Sequence, residues 1–197
     1  MIQEIDSRRS IRKYKEKAIS REFIEEMIYS ATLAPSAKNR QPWKFIVFEN
    51  KAKDELVDIM RQGVADEKVQ HRLMPKWAHA IPDAENTVRV MEEAPCLIVV
   101  LNTNQKTPFA NISGEDRIVE ICDSLSIGAA VENMMLTANA HGLGTLWIAN
   151  TCFAYGDLVT YLKTDDQLTG IVAVGYPDEF PDRRPRKSMD SIVEYRG

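Results

Sequence analysis

The stretch "CLIVVLN", Cys96 to Asn102, is a near-continuous apolar run of strand length. Such a run marks a strand buried on both faces, so it belongs inside a sheet and not at its exposed rim. The rest of the chain must be arranged around it.

Helical and strand patterns alternate along that remainder. A short helix is expected over Ile2–Ser7. "SREFIEEMIYSATLA" puts Phe23, Ile24, Met27, Ile28 and Ala31 on one helical face behind Ser20, a residue suited to the N-cap. A strand is expected over Lys44–Glu49, then a helix from about Lys51 with Leu56, Ile59 and Met60 inward. The longest helical pattern runs from Arg117 to His141, carries Ile118, Ile121, Leu125, Ala129, Glu132 and Met135, and stops at Gly142. A strand around "GTLWIA", a short helix over Tyr155–Leu162 and the strand "LTGIVAVGYP" follow. The tail is Pro-rich and basic, then ends in a strand-like "SIVEY". The pattern predicts an α+β domain: a central mixed, mainly antiparallel sheet flanked by helices, one of them long and central. Residues 1–197 read as a single domain without internal repeats. Residues 62–86, with His71, Trp77 and His79, are the poorly patterned part, an expected lid-like insertion.

Charge and chemistry narrow the functions. The formal net charge is −4, so the surface as a whole should not attract nucleic acid. No stretch reaches the roughly 20 apolar residues of a membrane span and the first residues lack a signal-peptide core, so a cytoplasmic protein without membrane partners is expected. Cys96, Cys122 and Cys152 are odd in number and widely spaced, which argues against a disulfide framework and a structural zinc site. Cys96 and Cys122 read as buried apolar residues, and Cys152 as a loop thiol without a nearby histidine. His141 sits at a helix end, where a charged imidazole suits the dipole, and Asp165–Asp166 reads as solvent-exposed. There is no P-loop, GxSxG or HExxH, and no metal site is expected.

Four segments remain as candidates. "RRSIRKYKEK", Arg8–Lys17, holds six positive charges in ten residues with no acidic residue between Arg8 and Lys15. Arg8, Arg9, Ser10 and Arg12 offer guanidinium forks and a hydroxyl, a set suited to phosphate. A plain exposed face and a nucleic-acid patch are the competing readings, the latter without aromatic interleaving for base stacking. "APSAKNRQPW" reads either as a helix-to-strand loop or as a site where Ser36 and Asn39 hydrogen-bond a flat heteroaromatic ring against Pro35. "HGLGTLWIAN" has GxG in the wrong order for a dinucleotide-binding turn, since it follows a helix and precedes a strand. Its glycines fit a helix cap and a close backbone approach. "RRPRKS" repeats the Arg-rich character near the other terminus, so the two basic runs either stay exposed or converge on one dianion.

Taken in order, "RRSIRKY", "APSAKNRQPWKF", "GLGTLWIA" and "GYPDEFPDRRPRKSMDSIV" resemble the nitroreductase family of FMN-dependent oxidoreductases, over nearly the whole chain. The resemblance implies a homodimer with FMN at the interface and NADH or NADPH as electron donor. It places Arg8, Arg9, Ser10 and Arg12 at the FMN phosphate and ribityl chain. It places Pro35, Ser36, Ala37 and Asn39 on a loop reaching the flavin from the partner subunit. Arg184, Arg186 and Lys187 fall at a C-terminal phosphate contact. Trp147, Ile148, Ala149 and Asn150 fall beside the flavin's central ring nitrogen, where family members often carry Gly-Gly or Glu-Gly in place of Ala149–Asn150. The flavin carries the chemistry, so no side chain is assigned a catalytic step. The expected reaction is ping-pong transfer to a small acceptor such as a nitroaromatic or a quinone. The alternatives are an FMN carrier or sensor, or a branch that uses the flavin for dehalogenation or for breakdown of the flavin itself.

Overall fold

The computed structural model describes residues 2–197. Its elements follow the order α1 (Gln3–Ser7), α2 (Arg21–Thr32), β1 (Trp43–Glu49), α3 (Asn50–Gln70), α4 (Ile81–Glu93), β2 (Cys96–Asn102), α5 (Gly114–Ala140), β3 (Gly144–Ile148), α6 (Tyr155–Leu162) and β4 (Gln167–Gly175), with short 3-10 turns between some of them.

All seven residues of β2 are buried, because β2 lies inside a four-stranded sheet of order β1-β2-β4-β3. Every pairing between neighbouring strands is antiparallel. The period-2 alternation of a strand sends successive side chains to opposite faces. Leu97, Val99 and Leu101 therefore join a core with Leu56, Met60, Met91 and Leu158 from α3, α4 and α6. Cys96, Ile98 and Val100 join a second core with Met27 of α2 and Met134 of α5. The sheet is thus covered on both sides, as the apolar run requires, and the fold is α+β.

The helix ends follow their local chemistry. Ser20 Oγ accepts the Phe23 N–H at 3.4 Å, and Ser113 Oγ accepts the Asp116 N–H at 3.1 Å. At the far end of α5, Gly142 takes φ +71°, the left-handed conformation that glycine adopts without a Cβ penalty. The Leu143 N–H donates to Ala138 O at 2.9 Å and the Gly142 N–H to Asn139 O at 3.0 Å, which is the Schellman closure. His141 stacks on Phe23 and lies 2.9 Å from a Glu26 carboxylate oxygen.

Several expectations need correction. Residues 62–86 are mostly helical: α3 runs on to Gln70, a 3-10 turn spans Pro75–Ala80, and α4 starts at Ile81. The break between them is fixed by Glu67, whose buried carboxylate accepts the Arg72, Leu73 and Met74 N–H groups at 2.8–3.0 Å. Burial would raise its pKa, but those three donors win and hold it below the ordinary glutamate value. The strand-like "SIVEY" forms no strand, since none of the described residues pairs with it; Met189–Ser191 make a 3-10 turn and Ile192 and Tyr195 stay exposed. Ile118, Ile121 and Leu125 of α5 are 65%, 51% and 71% exposed. The inward face of α5 holds Met135, as named from the sequence, together with Ile127, Ala130, Val131, Met134 and Ala138. Cys122 is only half-buried, and Asp166 is partly buried, paired with Lys44 at 3.2 Å.

Candidate functional site

The basic segment after α1 is laid along β3. Ser10 bridges Thr145, and the Ile11 N–H donates to Thr145 O at 2.9 Å. Gly144 makes this approach possible: a Cβ there would lie 2.6 Å from the Ile11 side chain. The buried Tyr14 hydroxyl donates to Ile11 O at 2.9 Å and locks the segment's turn. Beyond it, the Lys15 N–H donates to Tyr176 O and the Asp178 N–H to Lys13 O, each at 2.9 Å. The chain leaving β4 therefore runs beside the N-terminal segment.

That arrangement brings the two Arg-rich runs together. A cavity of 480 Å³ is lined by Arg8, Arg9, Ser10 and Arg12 from one run, Arg183, Arg184 and Arg186 from the other, and Glu132 of α5. Six guanidinium groups face three carboxylates, those of Asp6, Glu132 and Asp182. Arg183 is held by Asp6, and Arg8 Nε lies 3.4 Å from Glu132 Oε1 without forming a hydrogen bond. A buried guanidinium N–H without an acceptor is costly, which suits a site built for a further anion. Lys187, assigned to the same group from the sequence, does not line the cavity.

Two further cavities adjoin the C-terminal end of β3. One of 560 Å³ lies between Ile127, Gly128, Val131 and Met135 of α5 and the residues Trp147, Ala149, Cys152, Tyr155 and Leu168. The other, of 280 Å³, is lined by Arg12, by Asp83, Asn86 and Thr87 of α4, and by Leu146 to Asn150. Trp147 and Ala149 line both, Glu132 connects the larger one to the arginine cavity, and Arg12 connects the smaller one. Within the segment Trp147–Asn150, singled out in the sequence, Trp147 and Ala149 are thus the shared floor, and Ile148 and Asn150 line the smaller cavity alone.

Asp83, Asn86 and Thr87 were not legible as site residues, because they fall at the boundary of the poorly patterned stretch. Pro82, just inside the start of α4, was the available sign of a helix there. The Asn150 amide donates to Thr87 Oγ1 at 2.9 Å and to Asp83 Oδ2 at 3.4 Å, while its Oδ1 is buried with no partner.

The Pro35–Asn39 segment docks on α5 at Asp123 and Ser126, next to Ser124 and Ile127 of the larger cavity's lining. The Gln41 N–H donates to Ser36 Oγ at 3.1 Å, the Ala37 N–H to Ser126 Oγ at 3.3 Å, and Arg40 binds Asp123 at 2.7 and 2.9 Å. Lys38, Asn39 and Gln41 all take φ near +50°. Such non-glycine outliers persist only where the surroundings impose them, and they cluster at functional loops. Pro35, Ser36, Ala37 and Asn39 line none of the three cavities; the loop docks on α5 roughly two turns before Glu132, about 9–13 Å along the axis.

Other chemistries find little support among the described residues. No group of three or more His, Cys, Asp or Glu residues could hold a metal ion. Burial pushes the Cys152 thiol up, and pushes Cys96 up to about 12, so neither is poised as a thiolate. No helix is long and apolar enough to cross a membrane.

A sheet-end floor flanked by an arginine cavity offers positive charge suited to an anionic small molecule. The sequence model described as the Nitroreductase family matches residues 5–176, and the chain belongs to that family. It is 32% identical over 144 residues to a protein of Archaeoglobus fulgidus named NADH dehydrogenase/NAD(P)H nitroreductase, covering 73% of this chain and 64% of that protein. It is 26% identical to the iodotyrosine deiodinase of Thermotoga neapolitana, covering 95% of this chain and 93% of the other. Among solved structures, the FMN-dependent nitroreductase of Mycobacterium smegmatis in complex with NADPH superposes with a TM-score of 0.78 at 17% identity, over 99% of this chain and 97% of that one.

Proposed function

We propose that this chain is an FMN-dependent oxidoreductase that draws electrons from NADH or NADPH and passes them to a small acceptor such as a nitroaromatic or a quinone. The observation that carries this reading is the convergence of six arginines from opposite ends of the chain on one cavity beside the β3 floor. When bound, the flavin supplies the hydride chemistry, alternately accepting from the nicotinamide and donating to the acceptor. The protein's part is to bind and orient it. Arg8, Arg9, Arg12 and Arg186 neutralise the phosphate dianion with Ser10 as a hydroxyl partner, and Arg8 Nε is a buried donor awaiting an acceptor. Trp147 and the exposed backbone at Ala149 form the surface on which the flat ring rests. Arg12, bordering both the arginine cavity and the smaller one, sets positive charge beside the ring.

The working unit in this reading is a homodimer. Ile118, Ile121 and Leu125 recur at spacings of three and four, so they form one exposed stripe on α5. Tyr29 and Leu33 of α2 are exposed as well, as are Phe180, Met189 and Tyr195 of the tail. A second copy covers such a surface, and it brings the Pro35–Asn39 loop, which lines none of the three cavities in its own chain, to the partner's site. The full-length similarity to a deiodinase supports a second reading, reductive dehalogenation of an aromatic ring on the same flavin.

Fluorescence titration of the desalted protein with FMN and with riboflavin tests the assignment. FMN is expected to bind one per chain, and riboflavin, lacking the phosphate, at least tenfold more weakly, since each charge-assisted bond is worth roughly 1.5–3 kcal/mol. Equal affinities would remove the arginine cavity from the cofactor site.

A further inference from the structure

The hydrogen-bond chain from α4 to the floor is fully directed. The Thr87 hydroxyl donates to Asp83 O at 3.0 Å, so its oxygen is left to accept. The Asn150 Nδ2 then donates to Thr87 Oγ1 and to Asp83 Oδ2. An ionised carboxylate only accepts, so the amide cannot turn over without setting oxygen against oxygen. Its Oδ1 is left buried and unpartnered as a result, so the pin is kept at a cost to that atom. Asn150 opens the 3-10 turn Asn150–Ala154, and Ala149, the exposed residue shared by both floor cavities, precedes it directly. The pin therefore acts on the one stretch of backbone that must be held still if a ring is to be gripped there.

We propose that Thr87 and Asp83 are positioning residues of the redox site: through the Asn150 amide they fix the Ala149–Asn150 backbone, so that α4 sets the geometry in which the flavin ring is held. The proposal rests on the FMN reading above. It explains how a chain with Ala149–Asn150 at this position keeps a defined floor, the side chain of Asn150 being tied to the neighbouring helix. It also gives Asp83, within the expected lid-like stretch 62–86, a task at the site.

The test uses FMN-loaded wild type, Thr87→Val, Thr87→Ser and Asn150→Ala, with two readouts: FMN dissociation constant and two-electron midpoint potential. Thr87→Val and Asn150→Ala are expected to weaken FMN binding at least tenfold and unequally for the oxidised and reduced forms. A tenfold inequality is a shift of about 30 mV. Thr87→Ser, which keeps the hydroxyl, should retain the wild-type potential and affinity within about twofold. The double variant Thr87→Val with Asn150→Ala should add little to either single change, because both break the same link. Wild-type potential and affinity in Thr87→Val and Asn150→Ala would overturn the proposal. So would a potential shift in Thr87→Ser equal to that in Thr87→Val. Should Thr87→Val not fold, Asn150→Ala decides alone, since it breaks the pin from the turn side. A wild-type protein that binds no FMN would instead overturn the cofactor reading, and this proposal with it.

Discussion

Arg8 is where the electrostatics of the site concentrate. Its Nε is buried beside Glu132 without a hydrogen bond, and its neighbours Arg9 and Arg12 face the same 480 Å³ cavity. Arg8→Ala is expected to raise the FMN dissociation constant roughly 10- to 150-fold, the loss of about 1.5–3 kcal/mol, as read by fluorescence titration. An unchanged constant would leave the cluster without its phosphate. These arginines stood out in the sequence as guanidinium forks around a hydroxyl with no acidic residue between Arg8 and Lys15, a pattern that left a phosphate site, a plain exposed face and a nucleic-acid patch open. Their convergence with the C-terminal run was one of two readings left open, and the structure decides it through the bonds that join Lys13 and Lys15 to Asp178 and Tyr176. Thr87 and Asp83 could not be found the same way. Their meaning depends on Asn150, more than sixty residues later, and that contact exists only once α4 is packed against the end of β3.

The best-read element is β2, whose apolar run demanded cover on both sides and received it from α3, α4 and α6 on one face and α2 and α5 on the other. The short tail element was misread for the complementary reason: β pattern alone does not make a strand, which also needs a hydrogen-bonding neighbour. Residues 62–86 misled because Glu67 ends α3 by a side-chain cap with no standard sequence signature. Pairing of the N-terminal segment with β3 depends on Gly144, where any side chain meets Ile11. Gly144→Val is expected to destabilise the fold by roughly 1–3 kcal/mol, seen as a fall in melting temperature of several degrees. It should also weaken FMN binding, because Ser10 and its flanking arginines hang on that pairing. A variant with native melting and native FMN affinity would contradict the role given to Gly144.

The single chain is an incomplete object in this account. Its longest helix shows an apolar stripe to solvent, its tail carries exposed Phe180 and Tyr195, and its loop at Lys38–Gln41, with three non-glycine residues at positive φ, lines none of the three cavities of the site. The proposed homodimer would cover the exposed stripe and tail and give the loop a site in the partner. Leu125→Glu, a buried charge if the stripe is an interface, is expected to shift the protein from dimer to monomer in sedimentation velocity and to release FMN. A wild type that sediments as a monomer with FMN bound would refute the shared site. The acceptor was not legible in the sequence, whereas the cofactor class came with the family resemblance that the four segments carry in order. The deciding experiment is an anaerobic visible spectrum of the FMN-loaded protein before and after addition of NADH or NADPH. The proposed activity requires a flavin band that bleaches with the nicotinamide and returns when a quinone or nitroaromatic is added. A flavin band that persists in the presence of both nicotinamides would contradict it and leave a carrier of FMN in place of an enzyme.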